Sequence, residues 1–338
     1  MFLKWLPLPI LVFSFALANV VSGEENAANL APAAQTKEAQ NAALTLLPAN
    51  AKVVALLDMR ALNANKVLEP VLNKLLERDE VQVKLNQLQD AFGFDPRRDL
   101  NKIIFCNDPC EKGSKFILLE GSFDKARVED IFLKLNADSN DHNGHAVYAL
   151  PDDKEPNKIN FLSFIKPDLV AIGTEDAVLT AIEKSDQPVG PLGPSAQLAL
   201  ELPEQAVLRI GANDLAQMPG VNDPIRSAVR SAALTFSLSD KLQAKFVAHC
   251  QDETAAKDIS VLAEGAAGMG RLMLAKRPEL SKMLSGLVSS VRFVQERSAV
   301  RGSAALLATD ATGVLLWLMD LQAKKIAAAD GAAAPDGF

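Results

Sequence analysis

Leu47-Pro48-Ala49-Asn50-Ala51-Lys52-Val53-Val54-Ala55-Leu56-Leu57-Asp58 is the stretch from which the fold of this chain is read. Proline fixes φ and sets up a turn. An apolar run rich in β-branched residues then reads as a strand, and Asp58 ends it with a side chain suited to capping a helix start. The arrangement returns at Leu202-Pro203-Glu204-Gln205-Ala206, which leads into Val207-Leu208-Arg209-Ile210-Gly211-Ala212 and closes on Asn213. A second pair of segments also matches. Lys115-Phe116-Ile117-Leu118-Leu119 precedes Ser122 and a helix, and Lys245-Phe246-Val247-Ala248 precedes Asp252 and a helix. Ile103–Cys106 and Ala233–Ser239 supply the other strand of each hairpin. The repeated unit is a strand, a helical connection, a hairpin and a helix, which predicts an internal duplication.

Val67, Leu68, Val71, Leu72, Leu75 and Leu76 recur at helical spacing, with Pro70 confined to a first turn. Leu85, Leu88 and Phe92 continue a second helix, while the second half has only Pro224–Ser231 in that place. Val128, Ile131, Phe132 and Leu135 form one helical stripe, with Ser122 expected as its N-cap. Strands are expected at Ala146–Leu150, Ile159–Ile165 and Leu169–Ile172, then a helix at Glu175–Lys184. Pro188, Gly190, Pro191, Gly193 and Pro194 mark a linker. A long helical stretch from Glu253 to Leu287 is expected to break at Gly265–Gly270 or at Pro278. A hairpin of Ser290–Glu296 and Val300–Leu307 precedes a last helix, to which the apolar run Val314–Met319 belongs. Strands and helices do not alternate one for one. The expected fold class is therefore α+β: two related halves, each with antiparallel strands packed by helices.

The N-terminus sets the compartment. Lys4 supplies a positive charge, Trp5–Ala18 is uncharged and mostly apolar, and Ala16-Leu17-Ala18 or Val21-Ser22-Gly23 fits a small-x-small cleavage site. At about 14 residues the apolar run is short of the ~20 a membrane helix needs. The expected organisation is a signal peptide at 1–23, a flexible leader at 24–43, a first half at 44–186, a Pro/Gly linker at 187–196, a second half at 197–326 and a tail at 327–338. The chain is thus expected to be exported, periplasmic or extracellular, with no membrane span after cleavage.

Composition narrows function by exclusion. A net charge of −7 repels phosphate backbones, so no nucleic-acid partner is expected. Aromatics are only 5% of residues, too few to favour the stacking platforms of carbohydrate or single-strand sites.

The reactive residue types are sparse. Cys106 and Cys110 flank Asn107-Asp108-Pro109, which is turn chemistry, so an exported chain is expected to close a Cys106–Cys110 disulfide. A loop this short would contribute roughly 2–3 kcal/mol before strain. Cys250 is left unpaired beside His249, and neighbours in a strand point to opposite faces, which argues against a cysteine–histidine nucleophile. His142 and His145 lie with Asp138 and Asp141 in a polar stretch without a scaffold to fix metal ligands, so a solvated turn is expected there and no metal. Asp58 sits where catalytic carboxylates occur, but its counterpart Asn213 cannot ionise, which favours capping. Asp95-Pro96 reads as an N-cap with proline at the first helical position, and Arg97 and Arg98 are expected to pair with nearby acids rather than bind an anion. Gly265, Gly268 and Gly270 have the wrong order for a dinucleotide loop and are expected to pack closely or break a helix. No catalytic residue and no cofactor is assigned.

The signal peptide, Leu47-Pro48-x-x-Ala51 before a strand ending in Asp58, Gly93-Phe94-Asp95-Pro96-x-x-Asp99-Leu100, and Gly121 with Phe123-Asp124 opening a helix together resemble a loose group of exported bacterial proteins with domains of unknown function. The resemblance spans roughly Leu44–Lys184, with a weaker echo in the second half. It implies an exported α+β protein and no catalytic residues. The expected function is a non-enzymatic binding or interaction module of the cell envelope, with an envelope protein partner. The alternatives are a carrier of an apolar small molecule or lipid in a cleft between the halves and, third, an exported hydrolase using Asp58.

Overall fold

In the computed structural model, residues 42–66, 69–77, 79–108, 115–151, 159–202, 206–218, 223–276, 278–314 and 316 are described. The expected signal peptide, nearly all of the leader and the tail lie outside them.

The chain is antiparallel α+β, and the described residues build one twelve-stranded sheet. The first strands are β1 (Val53–Asp58), β2 (Leu100–Asn107) and β3 (Phe116–Gly121). Then come β4 (Ser139–His142), β5 (His145–Pro151), β6 (Ile159–Lys166) and β7 (Leu169–Gly173). The later strands are β8 (Leu208–Asn213), β9 (Val229–Leu238), β10 (Lys241–Cys250), β11 (Arg292–Glu296) and β12 (Ala299–Leu307). Their order across the sheet is β11-β12-β10-β9-β8-β1-β2-β3-β7-β6-β5-β4. Hairpins and short returns account for antiparallel pairing of this kind.

The centre of the sheet is a pair far apart in sequence. β1 runs antiparallel to β8, with Val53 opposite Ala212, Ala55 opposite Ile210 and Leu57 opposite Leu208. From this seam β2, β3 and β7 follow on one side and β9, β10 and β12 on the other. Matching Leu47 with Leu202 puts the row Val54, Cys106, Phe116 level with Arg209, Thr235, Lys245. In this matching Phe116 is level with Lys245, one residue from Phe246, its counterpart in the expected duplication. A one-residue slip reverses every side chain in a strand, so the alternative alignment would exchange the faces.

β2, β3 and β7, near the middle of the sheet, are covered on both faces, which explains near-continuous apolar runs such as Phe116–Gly121. On one face, Val54, Leu56, Ile104, Cys106, Phe116, Leu118 and Ala171 pack under Ala43–Leu47 and two helices, Glu175–Ser185 and Pro194–Glu201. Lys184 anchors that N-terminal segment by donating from Nζ to Leu47 O at 2.6 Å. Ala43 is buried, so the core begins within the stretch expected as leader. The helix Pro194–Glu201 likewise starts inside the expected linker, where proline at its first position suits a helix start. On the other face, Ile103, Ile117, Leu119, Val170 and Ile172 pack with Met59, Leu62 and Phe132 from two further helices.

Between β1 and β12 the α-helices are α1 (Met59–Asn63), α2 (Glu69–Leu76), α3 (Asp79–Phe92), α4 (Pro96–Asp99), α5 (Lys125–Lys134), α6 (Glu175–Ser185), α7 (Pro194–Glu201), α8 (Asp223–Ala228), α9 (Glu253–Ala275) and α10 (Pro278–Ser290). Three local expectations are corrected. Asp124, not Ser122, caps α5, its Oδ1 accepting from Arg127 N at 3.0 Å. Asp138–Gly144 is not a loose polar loop: β4 and β5 form a hairpin across Asn143-Gly144, both in the left-handed region. Asn-Gly is favoured in two-residue hairpin turns for this reason. Finally, α9 runs unbroken through Gly265, Gly268 and Gly270, and a Cβ on any of them would meet open space. They neither break the helix nor pack closely; the break comes before Pro278.

Candidate functional site

The sequence singles out Asp58, and the structure places it at the seam. Its Oδ1 accepts from Ala61 N at 2.8 Å, capping α1. Asp58 lies opposite Lys102, and Lys102 opposite Glu120, so three ionisable residues form a row across β1, β2 and β3. Lys102 is buried and its Nζ lies 3.2 Å from Glu120 Oε2. Arg209 is buried on the same face, opposite Leu56. Leu56, Asp58, Lys102, Ala206 and Arg209 line a recess with room for about one water molecule. Asn213, the expected counterpart of Asp58, donates its N–H to Lys52 O at 2.8 Å. The residue after it, Asp214, precedes a 3₁₀ turn without capping it by a side-chain hydrogen bond. At the place where the sequence allows a cleft between halves, β1 and β8 are hydrogen-bonded neighbours.

Arg97 and Arg98 pair with acids, as expected. Arg97 donates from Nε and Nη2 to both oxygens of Asp95 at 2.8 and 2.7 Å, and Arg98 donates to Asp99 at 2.8 and 3.1 Å. Burial alone would raise the Asp95 carboxyl. Hydrogen bonds from the Arg97 side chain and N–H, with the charges of Arg97 and Arg98, outweigh that and hold it below its usual range. Asp95 N donates to Asp99 Oδ2 at 2.8 Å, which ties both ends of α4 together. Gly93, in the left-handed region, ends α3, and Arg127 Nε donates to Ala91 O at 3.0 Å, satisfying a terminal carbonyl.

His142 and His145 face each other across the β4–β5 hairpin. His145 Nδ1 is 2.9 Å from Phe164 O, and His142 Nε2 lies 3.4 Å from Glu183 Oε1. Among the described residues no group of three or more His, Cys, Asp or Glu stands close enough to hold a metal ion. His249 Nε2 lies 2.8 Å from Glu201 Oε2, and Arg301 reaches both Glu201 and Glu296. These contacts join the end of α7 to β10 and β12.

Cys106 is buried in the core, and burial pushes its thiol up to about 12 against the opposing charge of Lys184. Cys110 lies outside the described residues. β2 and β3 pair as far as Cys106 opposite Phe116. Cys250 is also buried, its thiol raised by burial and by Asp252, and its Sγ is 4.0 Å from Ala248 O. Both are poor nucleophiles by this measure, since the thiolate is the reactive form.

The largest feature missed in the sequence is the outer face of α9. Asp252 caps the helix, accepting from Ala255 N at 2.8 Å. Ala256 and Ile259 pack on β10 and β12, where Ala248, Cys250 and Val300 form a small core. Val261, Leu262, Met269, Leu272 and Met273 instead stand in solvent, Leu272 at 69% and Met273 at 65% exposure. At 3.6 residues per turn these five side chains span an arc of about 120°. Arg271 and Lys276 are exposed at the same end, and Arg271 Nη2 donates to Val288 O at 3.4 Å, linking α9 to α10. Apolar spacing in the sequence marks a helix but does not say whether its stripe is covered.

No protein-family model and no curated protein matches the chain. Among solved structures, crystal form I of TP0453 is similar over 81% of this chain and 97% of that one, with 13% identity and a TM-score of 0.45.

Proposed function

We propose that the mature chain is a non-enzymatic binding module of the cell envelope, acting after export, and that its contact surface is the hairpin formed by α9 and α10. The observation that supports this is the row of exposed Val261, Leu262, Met269, Leu272 and Met273 on one helical face. A contiguous apolar patch of this kind costs solubility and marks an interaction site more often than chance decoration. The same surface lies at one end of the sheet, next to the edge strand β11, while the opposite end carries the polar β4. The two sides of the sheet are read as diverged copies. The first kept an apolar row at Val54, Cys106 and Phe116, and the second placed Arg209, Thr235 and Lys245 there and developed the long helical hairpin.

The test is fractionation of cells producing the full chain. The wild type is expected in the envelope fraction, retained at low salt, with its N-terminal segment removed. Leu272→Glu with Met273→Glu is expected to be exported equally but recovered as free soluble protein. Equal retention of both proteins would contradict the assignment of the surface, and a cytoplasmic wild type would contradict export.

A further inference from the structure

We infer that the α9–α10 hairpin docks on an anionic lipid bilayer surface, an inference that rests on the binding-module reading and names its partner. The argument is one of charge and shape together. The chain as a whole carries −7, yet from Arg271 to Arg301 there are seven basic residues, Arg271, Lys276, Arg277, Lys282, Arg292, Arg297 and Arg301, against the two acids Glu279 and Glu296. The sign reverses at the C-terminal end of the exposed apolar face, beside Leu272 and Met273, whereas the first turns of α9 carry Glu253, Asp258 and Glu264 against Lys257. From Val261 to Ala275 the only charged residues are Glu264 and Arg271, and both fall outside the arc that holds Leu272 and Met269.

A helix with one apolar face in solvent and cations at its end has the form of an interfacial helix, which lies in the plane of the headgroups. Leucine and methionine enter the acyl boundary, and arginine and lysine stay at phosphate level on long aliphatic stems. Neither signal holds a protein alone, but apolar insertion and basic attraction add, each cation near an anionic surface contributing on the order of 1 kcal/mol. The geometry allows approach. α9 is about 34 Å long, and its first turns hold it to β10 and β12 while its outer face stands in solvent among the described residues. No helix among the described residues is long and apolar enough to cross a membrane, so the contact described is one of lying on a bilayer. A protein partner with an acidic groove would also suit the charges. Five aliphatic side chains on a convex helix, flanked by cations and by glycines at Gly265 and Gly268 that leave its surface shallow, fit a planar deformable layer better.

The experiment is vesicle flotation with the purified mature chain, comparing phosphatidylglycerol-rich vesicles with pure phosphatidylcholine. Three proteins are used: wild type, Leu272→Glu with Met273→Glu, and Arg271→Glu with Lys276→Glu. All four positions are exposed, and unchanged thermal melting checks that each variant is folded. The expected result is wild-type flotation with the anionic vesicles only, weakened by salt, and a loss on the order of tenfold or more in either variant. Wild-type protein that stays at the bottom with both vesicles overturns the inference. So does flotation that both variants keep. If the wild type ignores vesicles but dimerises in light scattering, and the Leu272 variant is monomeric, the face joins two copies. The lipid inference then fails while the binding-module reading stands.

Discussion

Ala55 lies opposite Ile210 in the antiparallel ladder of β1 and β8, and this pair is the midpoint of a seam that makes the two halves one sheet. Val53 is opposite Ala212 at one end and Leu57 opposite Leu208 at the other, so the ladder is symmetric about it. The exposed residues 186–191, ahead of α7, thus carry little of the cohesion. A protease site placed near Val189, an exposed residue, is expected to be cut without separating the fragments. They should co-elute from a sizing column in native buffer and part only in denaturant. Fragments that separate at once would contradict the continuous sheet.

At Gly211 α7 packs directly on that seam. A Cβ there would lie 2.1 Å from Ser195 O and 2.5 Å from Ala199 N, both backbone atoms of the helix. Gly211→Val must push α7 off β8 and is expected to cost about 3 kcal/mol or more. Chemical denaturation of the purified protein measures it. A change below about 1 kcal/mol would mean that α7 is not held as described.

Asp95 is a charged cap whose carboxyl is held below its usual range. A depressed carboxyl contributes stability above its unfolded value, and the contribution is lost as pH falls through the folded value. Asp95→Asn keeps a capping oxygen but loses the charged pairing with Arg97. It is expected to cost about 1–2 kcal/mol near neutral pH and progressively less in acid. A deficit that stays constant from neutral to acidic pH would show that the charge is not what matters.

Cys106 gives a test in two parts. In the reduced protein, with the Cys106 thiol near 12 in the fold and 9 when unfolded, stability is lost as pH rises from 9 toward 12, and closing the bridge removes that dependence. In native protein the buried thiol is expected to resist alkylation. The proposed Cys106–Cys110 bridge is tested after unfolding without reductant. One labelled cysteine, Cys250, is expected of the three in the chain, and labelling of all three would remove the bridge.

The strands flanked by proline, glycine or turn residues were legible, because local chemistry marks where they begin. β1, β3, β6 and β7 and helices α5 and α6 lie close to their expected spans. β4 was not legible, since Ser139-Asn140-Asp141-His142 is polar throughout and lies at the sheet edge, where no core face imposes alternation. Asn143-Gly144 was the signal that could have found it. The seam was beyond reach for another reason: Ala55 and Ile210 meet through long-range pairing that neither strand announces alone. Matching apolar letters do not fix register, so the expected duplication pairs Phe116 with Phe246 where the strand ladders, matched at Leu47 and Leu202, put it level with Lys245. The candidate surface was hidden in the same way. Val261, Leu262, Met269, Leu272 and Met273 have the spacing of a core stripe, and only the packing of Ala256 and Ile259 on β10 and β12 shows which side of α9 is covered.

The most direct measurement of the binding-module reading is photo-crosslinking in intact cells from a benzophenone side chain at Met269, compared with one at Leu133. Both residues are exposed and apolar, but Leu133 lies on α5, away from the hairpin. Adducts in the envelope from Met269, and none from Leu133, are the predicted result. Equal labelling from both positions, or none from Met269 in folded and exported protein, would contradict it.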